Sequence, residues 1–226
     1  MPTVLLVRHA QASFGSADYD VLSPLGVEQA AVLSAALARR NLNVTRIAAG
    51  SARRQRETAE PVAAGYGLET ETDERWNEYE TETVLAHHAS EAVSLEGTGP
   101  GGGEISSRDF QLVLDGALHS WAAAGDATAA AQTWPDFLAS RTAALTEFAA
   151  GLGSGETGLV FSSGGVIAAI AAHLLGEHAD LFPRLNKVAV NAGITKLVVG
   201  RGGTSLIAFN EHAHIDEAEP RLLTYR

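Results

Sequence analysis

Val4-Leu5-Leu6-Val7-Arg8-His9-Ala10-Gln11 is the stretch on which the fold turns. Its four-residue apolar run is too short for a helix and reads as a central strand of an α/β sheet, buried on both faces. Such sheets bind ligands at the carboxyl ends of their strands, and Arg8 and His9 stand at that end. The pair suits the centre of a phosphate-handling site. A strand that merely stops in two polar residues is the other reading, and the rest of the chain bears on the choice.

Downstream of the pair, a loop from Ala12 to Leu22 leads to Ser23-Pro24, an N-cap residue followed by proline at the first helical position. The helix that starts there carries Val27, Ala30, Ala31, Leu33, Ala35, Leu37 and Ala38 as its expected core stripe and ends in Arg39-Arg40. Val44 to Ala49 reads as a second strand. Gly50 to Ala59 then opens a helix with arginines at 53, 54 and 56. Arginine is mildly unfavourable at a helix N-terminus, so either an anion resolves the conflict or the three form a solvated basic face.

Leu68 to Thr72 reads as a short strand, followed by Arg75-Trp76-Asn77-Glu78-Tyr79-Glu80. Thr81 to Gln132 has a looser pattern, with a glycine-rich run from Gly97 to Gly103 and a helical stretch from Phe110 to Ala124, and is read as a cap or lid insertion in one domain spanning 1–226. Pro135 to Gly151 is a helix anchored by Phe137, Leu138, Leu145 and Phe148. Thr157 to Phe161 is a strand that runs into Ser162-Ser163-Gly164-Gly165 and the apolar helix Val166 to Leu175. Strand, glycine-rich turn and helix N-terminus together expose backbone N–H groups that suit an anion. Lys187 to Ala192, Thr195 to Val199 and Ser205 to Phe209 read as closing strands, the last two a hairpin, with His212 and His214 after them.

Composition narrows the classes. The chain has 226 residues, 46% hydrophobic content, no cysteine and a net charge of −11. That length can bury roughly 70% of the unfolded surface, and no apolar run approaches the roughly 18 residues that span a bilayer. The absence of cysteine excludes a thiol nucleophile and a Cys-based zinc site. The acidic balance argues against nucleic-acid and anionic-membrane partners, so an anionic substrate must be attracted locally. A first strand beginning almost at Met1 leaves no room for a signal peptide, and a soluble, cytoplasmic protein is expected.

With these stretches in view, the chain resembles the histidine phosphatase superfamily, also called phosphoglycerate mutase-like. The matching marks are Leu6-Val7-Arg8-His9, Leu22-Ser23 through Gly26 to Gln29-Ala30, and the arginine helix ending in Thr58-Ala59. Asn77-Glu78-Tyr79, Gly164-Gly165-Val166-Ile167, Asn191 through Ile194-Thr195, and Asn210 through His214-Ile215 continue them. The resemblance implies a three-layer α/β/α sandwich with a mostly parallel sheet. It implies hydrolysis of a small phosphorylated metabolite through a phosphohistidine, with no cofactor and no metal. His9 would be the nucleophile, Arg8 and Arg54 the phosphoryl clamps, and Glu78 the proton donor, or else an ordinary surface carboxylate. Ser163 and Gly164 would complete the phosphate site.

Three positions depart from the pattern. Ala10 replaces the usual glycine, Gly15 stands where many members carry an asparagine, and Ser163 occupies the place of the second family histidine. His214, or failing it His212, is the candidate that would compensate; His87 and His88 carry no motif. The alternatives are a phosphoglycerate mutase-type phosphotransferase, a degenerate member that binds phosphate with little turnover, and a serine hydrolase built on Ser163. The last lacks the first glycine of a nucleophile elbow, where Phe161 stands, and an evident triad acid. Substrate identity and oligomeric state have no readable signal.

Overall fold

In a strand buried on both faces, successive side chains feed opposite cores. The first strand, β1 (Thr3–Arg8), does so in the computed structural model, which describes residues 1–13, 20–89, 107–176 and 179–225. Val4 and Leu6 enter one apolar cluster, and Leu5 and Val7 enter the other. The strands β4 (Thr157–Ser162), beside β1, and β2 (Val44–Ala49), beyond β4, split their side chains the same way, with Ala48 and Val160 on one side and Ile47, Ala49, Leu159 and Phe161 on the other.

The first side is covered by α3 (Thr81–His88), α4 (Ser107–Ala124), α5 (Trp134–Ala150), α6 (Gly164–Leu174) and α7 (Leu181–Val188). The second is covered by α1 (Pro24–Arg39), α2 (Arg53–Tyr66) and the single turn α8 (Ala213–Asp216). Helices on both faces of one sheet make the expected three-layer α/β/α architecture.

Adding β3 (Thr70–Thr72), β5 (Ile194–Gly200) and β6 (Gly203–Glu211), the sheet order is β3-β2-β4-β1-β5-β6. The first four strands pair in parallel, and the hairpin β5–β6 adds antiparallel pairings at the far edge. The sheet is therefore mostly parallel. The register aligns Arg8 with Ser162, so both strands end at one level, and the His9 amide donates to the Ser162 carbonyl at 2.8 Å. Residues that follow β1 and β4 must meet there. No helix among the described residues is long and apolar enough to cross a membrane.

Local expectations fared unevenly. Ser23 caps α1 by accepting from the Gly26 amide at 3.0 Å. The buried stripe of that helix, however, is Gly26, Gln29, Ala30, Leu33, Ala36 and Leu37, and Val27 is 58% exposed. Gln29 takes an inward position because its amide is fully used, accepting from Gln11 N–H and donating to the Leu222 carbonyl and Thr224. Lys187 to Ala192 is not a strand: α7 runs to Val188, and the apolar run continues as a buried strap. Asn210 replaces the missing ladder, accepting from Val190 N–H and donating to the Val188 carbonyl, both at 2.7 Å. A short apolar run cannot tell a strand from a buried connection.

The segment 81–132 lies partly outside the described residues, as do Gly15 and the whole Gly97 to Gly103 run. Its described helices are built into the main core. Val84 and Leu85 of α3 and Ala117, Leu118 and Trp121 of α4 share a cluster with Val4 and Leu6, and Trp121 packs edge-on to Trp134 at 5.3 Å.

Candidate active site

His9 sits just past β1 and is 7% exposed. Its Nδ1 lies 2.7 Å from the Ala10 carbonyl, an atom that only accepts, so Nδ1 carries the proton and Nε2 keeps the lone pair. Arg54 Nε–H donates to that Nε2 at 3.2 Å. Burial above all, then the Arg8 and Arg54 guanidinium groups, hold the imidazole well below its ordinary pKa, which keeps it neutral. The backbone around it is pinned from two sides. The Thr58 hydroxyl of α2 accepts from the Ala10 amide and donates to the Arg54 carbonyl, and Asn191 donates to the His9 carbonyl at 3.0 Å.

Of the three arginines opening α2, Arg53 and Arg56 are exposed and only Arg54 turns inward. Their conflict with the helix dipole is met within the chain. Asp20 accepts from the Arg53 amide at 2.7 Å and pairs with the Arg54 guanidinium, a carboxylate at a helix N-terminus that has no side-chain cap of its own. Arg8 lies across the site, its Nη1 donating to the Ala189 and Tyr225 carbonyls.

Glu78 accepts the Gly165 amide in the first turn of α6 at 3.0 Å. A methyl group on Gly165 would lie 2.2 Å from Glu78 Oε1 and 2.4 Å from the Tyr79 ring, so this close approach requires glycine. On the adjacent Gly164 a methyl group would lie 3.4 Å from Arg8 Nε, which places Glu78 and Arg8 about one residue apart along the same helix terminus. Burial raises the Glu78 carboxyl above its ordinary range; the Gly165 amide, Arg54 and Arg8 oppose the shift without cancelling it.

Ser163 is fully buried between β4 and α6. Its Oγ accepts from Gln55 Nε2 of α2 at 2.9 Å. His214 is not part of this arrangement: its Nε2 meets the Ala192 carbonyl at 3.1 Å, behind the Arg8–His9 backbone that Ala192 N–H bonds. Among the described residues its hydrogen bond and charged neighbours do not include His9, Glu78 or Ser163. The turn α8 carries it there, buried beside Ile215. The hydrogen bond of His214 thus goes to the Ala192 carbonyl and not to Ser163.

Sequence reasoning passed over Gln55 and Arg141. Gln55 begins the buried stripe Gln55, Thr58, Ala59, Val62 and Ala63, and that helical spacing was visible. Arg141, 5% exposed on α5, donates to the Asn77 carbonyl at 2.9 Å, the residue before Glu78, and stacks its guanidinium 4.0 Å from the Phe137 ring. Burial draws it down to about 10. A lone arginine amid Ala, Ser and Thr on a helix carries no such signal. Among the described residues there is no cluster of His, Asp or Glu fit to hold a metal ion.

The arrangement thus combines a neutral buried imidazole, two guanidinium groups, a carboxyl of raised pKa and a helix N-terminus. The family model described as histidine phosphatase superfamily (branch 1) matches residues 4–95 and 114–212. Among solved structures, a mycobacterial glucosyl-3-phosphoglycerate phosphatase is similar at 20% identity and TM-score 0.63, over 92% of this chain and 98% of that one. The phosphoserine phosphatase of Entamoeba histolytica, solved with 3-phosphoglyceric acid, is similar at 18% identity and TM-score 0.65, over 95% and 99%. YhfR of Bacillus stearothermophilus is similar at 19% and 0.64, over 95% and 99%. Likeness at these identities speaks for the fold. No curated protein matches the chain.

Proposed function

The chain belongs to the histidine phosphatase superfamily, branch 1, and from that premise we propose that it is a phosphomonoester hydrolase acting through a phosphohistidine on His9. The observation that carries the reading is the tautomer of His9, with Nδ1 committed to a carbonyl and the Nε2 lone pair facing Arg54.

Nε2 attacks phosphorus and the P–O bond to the leaving alcohol breaks. Arg54 transfers its N–H from Nε2 to a phosphoryl oxygen, and Arg8 meets the others; guanidinium forks match phosphate geometry and stay charged. Each contact is worth up to about 4 kcal/mol at an effective dielectric near 20, before desolvation, so local attraction outweighs the net charge of −11. Glu78 gives its proton to the leaving oxygen, a role typically worth about 10²- to 10⁴-fold. The resulting carboxylate takes a proton from water, the hydroxide attacks phosphorus, the P–N bond breaks, and neutral His9 and protonated Glu78 return.

In this reading the substrate is a small phosphate ester, no metal or cofactor takes part, the protein works in the cytoplasm, and the segment 81–132 acts as the lid that selects the alcohol. Support for the phosphatase class comes from the similar structures, which are named a glucosyl-3-phosphoglycerate phosphatase and a phosphoserine phosphatase. One observation favours the binding-only alternative. Asp20 already holds Arg54, so a phosphoryl group must displace a carboxylate to engage it. Hydrolysis of an aryl phosphate by wild type and not by His9→Ala, unaffected by chelator, supports the hydrolase; phosphate binding without turnover supports the alternative.

A further inference from the structure

The amide of Gln55 is buried and its orientation is fixed by its neighbours. Nε2 lies 3.0 Å from the Trp76 carbonyl and 2.9 Å from Ser163 Oγ. A carbonyl only accepts, so the nitrogen must face it, and the second amide hydrogen is left for Ser163. Ser163 therefore spends a lone pair on Gln55, and its own hydroxyl hydrogen is directed elsewhere.

The register decides what is nearby. Arg8 pairs with Ser162 across β1 and β4, so Ser163 is level with His9, at the start of the helix whose next residues face Arg8 and Glu78. Gln55 follows Arg54, the residue that touches His9 Nε2, in the chain. Keeping Gln55 here is costly, since its Oε1 is buried with no hydrogen-bond partner, and Gly50 must lack a side chain because a methyl group there would lie 2.0 Å from that oxygen. A side chain serving only to fill space would be apolar.

We propose that Gln55 is a positioning residue that makes Ser163 a hydrogen-bond donor to the phosphoryl group, so that the pair takes the place of an imidazole donor at position 163. The proposal rests on the phosphoryl site described above. As His9 Nε2 bonds to phosphorus, negative charge gathers on the equatorial oxygens, and the Ser163 O–H meets one of them. Without Gln55 the Ser163 lone pair is released, the hydroxyl hydrogen can rotate away from the phosphoryl group, and that group loses a fixed donor.

The test is a double-mutant cycle with Gln55→Met, Ser163→Ala and the double variant, read as aryl phosphate kinetics and as affinity for inorganic phosphate. Methionine keeps the volume, and the Trp76 carbonyl keeps its bond from Ser162 Oγ at 2.6 Å, so the fold is spared. Ser163→Ala is expected to lower kcat/KM by about 10-fold or more, the range for a hydrogen bond to a charged group. Gln55→Met should cost about 3- to 10-fold in the wild-type background and less than about twofold in Ser163→Ala, because a misdirected hydroxyl matters only when the hydroxyl exists. Ser163→Thr, which retains the hydroxyl, should recover part of the loss and restore the dependence on Gln55.

Equal effects of Gln55→Met in both backgrounds would mean that Gln55 acts through packing, and would overturn the proposal. His9→Ala is the control that separates the two claims: additive effects at 55 and 163 with turnover still lost in His9→Ala sink the inference and leave the hydrolase standing. If the wild type shows no turnover, the same cycle in phosphate affinity decides. Phosphate binding indifferent to both residues, or no phosphate binding at all, would refute it.

Discussion

Replacing Gly165 with alanine should disable proton donation while leaving the nucleophile in place. The added methyl group would start 2.2 Å from Glu78 Oε1 and 2.4 Å from a Tyr79 ring carbon, where contacts below 3.0 Å do not persist. The Tyr79 ring has nowhere to go, being packed against Trp121, Phe137 and Phe182 at centroid distances of 5.7, 6.2 and 6.4 Å. The carboxylate must yield by about 1 Å, and it loses the Gly165 amide. Overpacking of this kind costs about 1–3 kcal/mol, and alanine in a helix returns about 0.5–1 kcal/mol, so the net loss of stability is at most about 2.5 kcal/mol. A displacement of about 1 Å in a catalytic group can cost about 10²-fold in rate.

The assay compares an alkyl phosphomonoester with p-nitrophenyl phosphate. An alkoxide needs the proton from Glu78, whereas p-nitrophenolate leaves unaided, so Gly165→Ala should lose about 10²-fold on the alkyl ester and far less on the aryl one. Gly164→Ala, whose methyl group meets Asn186 at 3.0 Å and Arg8 at 3.4 Å, should change either rate by only a few-fold. Wild-type hydrolysis of the alkyl ester by Gly165→Ala, or equal losses on both esters, would refute the reasoning.

Activity should fall at low pH as His9 is protonated, with that limb well below 6.5, and fall at high pH as Glu78 loses its proton, with that limb above 4.5. On an alkyl ester Glu78→Gln should remove the alkaline limb and lower kcat, which a pH series of kcat/KM checks. His9 also links to stability. It is held neutral in the fold while the unfolded histidine titrates near 6.5, so the unfolded chain binds the extra proton and this contribution is lost as pH falls below 6.5; urea melts should show a shallower slope there in His9→Ala than in wild type, the remainder coming from groups such as His214 that burial also holds low. Arg141→Met exchanges a buried cation for an apolar side chain at the cost of an unpaired Asn77 carbonyl, two effects of about 1–3 kcal/mol and opposite sign, so denaturant midpoints should move little while turnover drops as the Glu78 loop loosens. Asp20→Asn should tighten phosphate binding, measured by calorimetry, because the phosphoryl group no longer competes with a carboxylate for Arg54.

What could be read from the chain is what local chemistry records. The apolar run before Arg8-His9 reads as a buried strand because alternation is absent when both faces are covered, and Val4 to Val7 serve two cores at once. Ser23-Pro24 marks a helix start by its own hydrogen-bonding logic. That the ends of β1 and β4 lie at one level comes from the pairing of Arg8 with Ser162, which the sequence does not record. What was lost lies in contacts between distant segments. Lys187 to Ala192 looked like a strand because the side chain that satisfies its backbone, Asn210, comes some 20 residues later. His214 looked available because nothing local shows that it bonds the Ala192 carbonyl. The arginines at 53, 54 and 56 left open an anion or a solvated basic face; Arg53 and Arg56 are exposed, and the carboxylate that holds Arg54, Asp20, belongs to the loop before α1.

The central claim is the covalent step on His9. Wild-type protein mixed with a phosphorus-labelled aryl phosphate and quenched within a turnover should carry protein-bound phosphate that survives alkali, is released by acid, and maps to the peptide containing His9. An acid-stable phosphate on Ser163, or undiminished turnover in His9→Ala, would contradict the account.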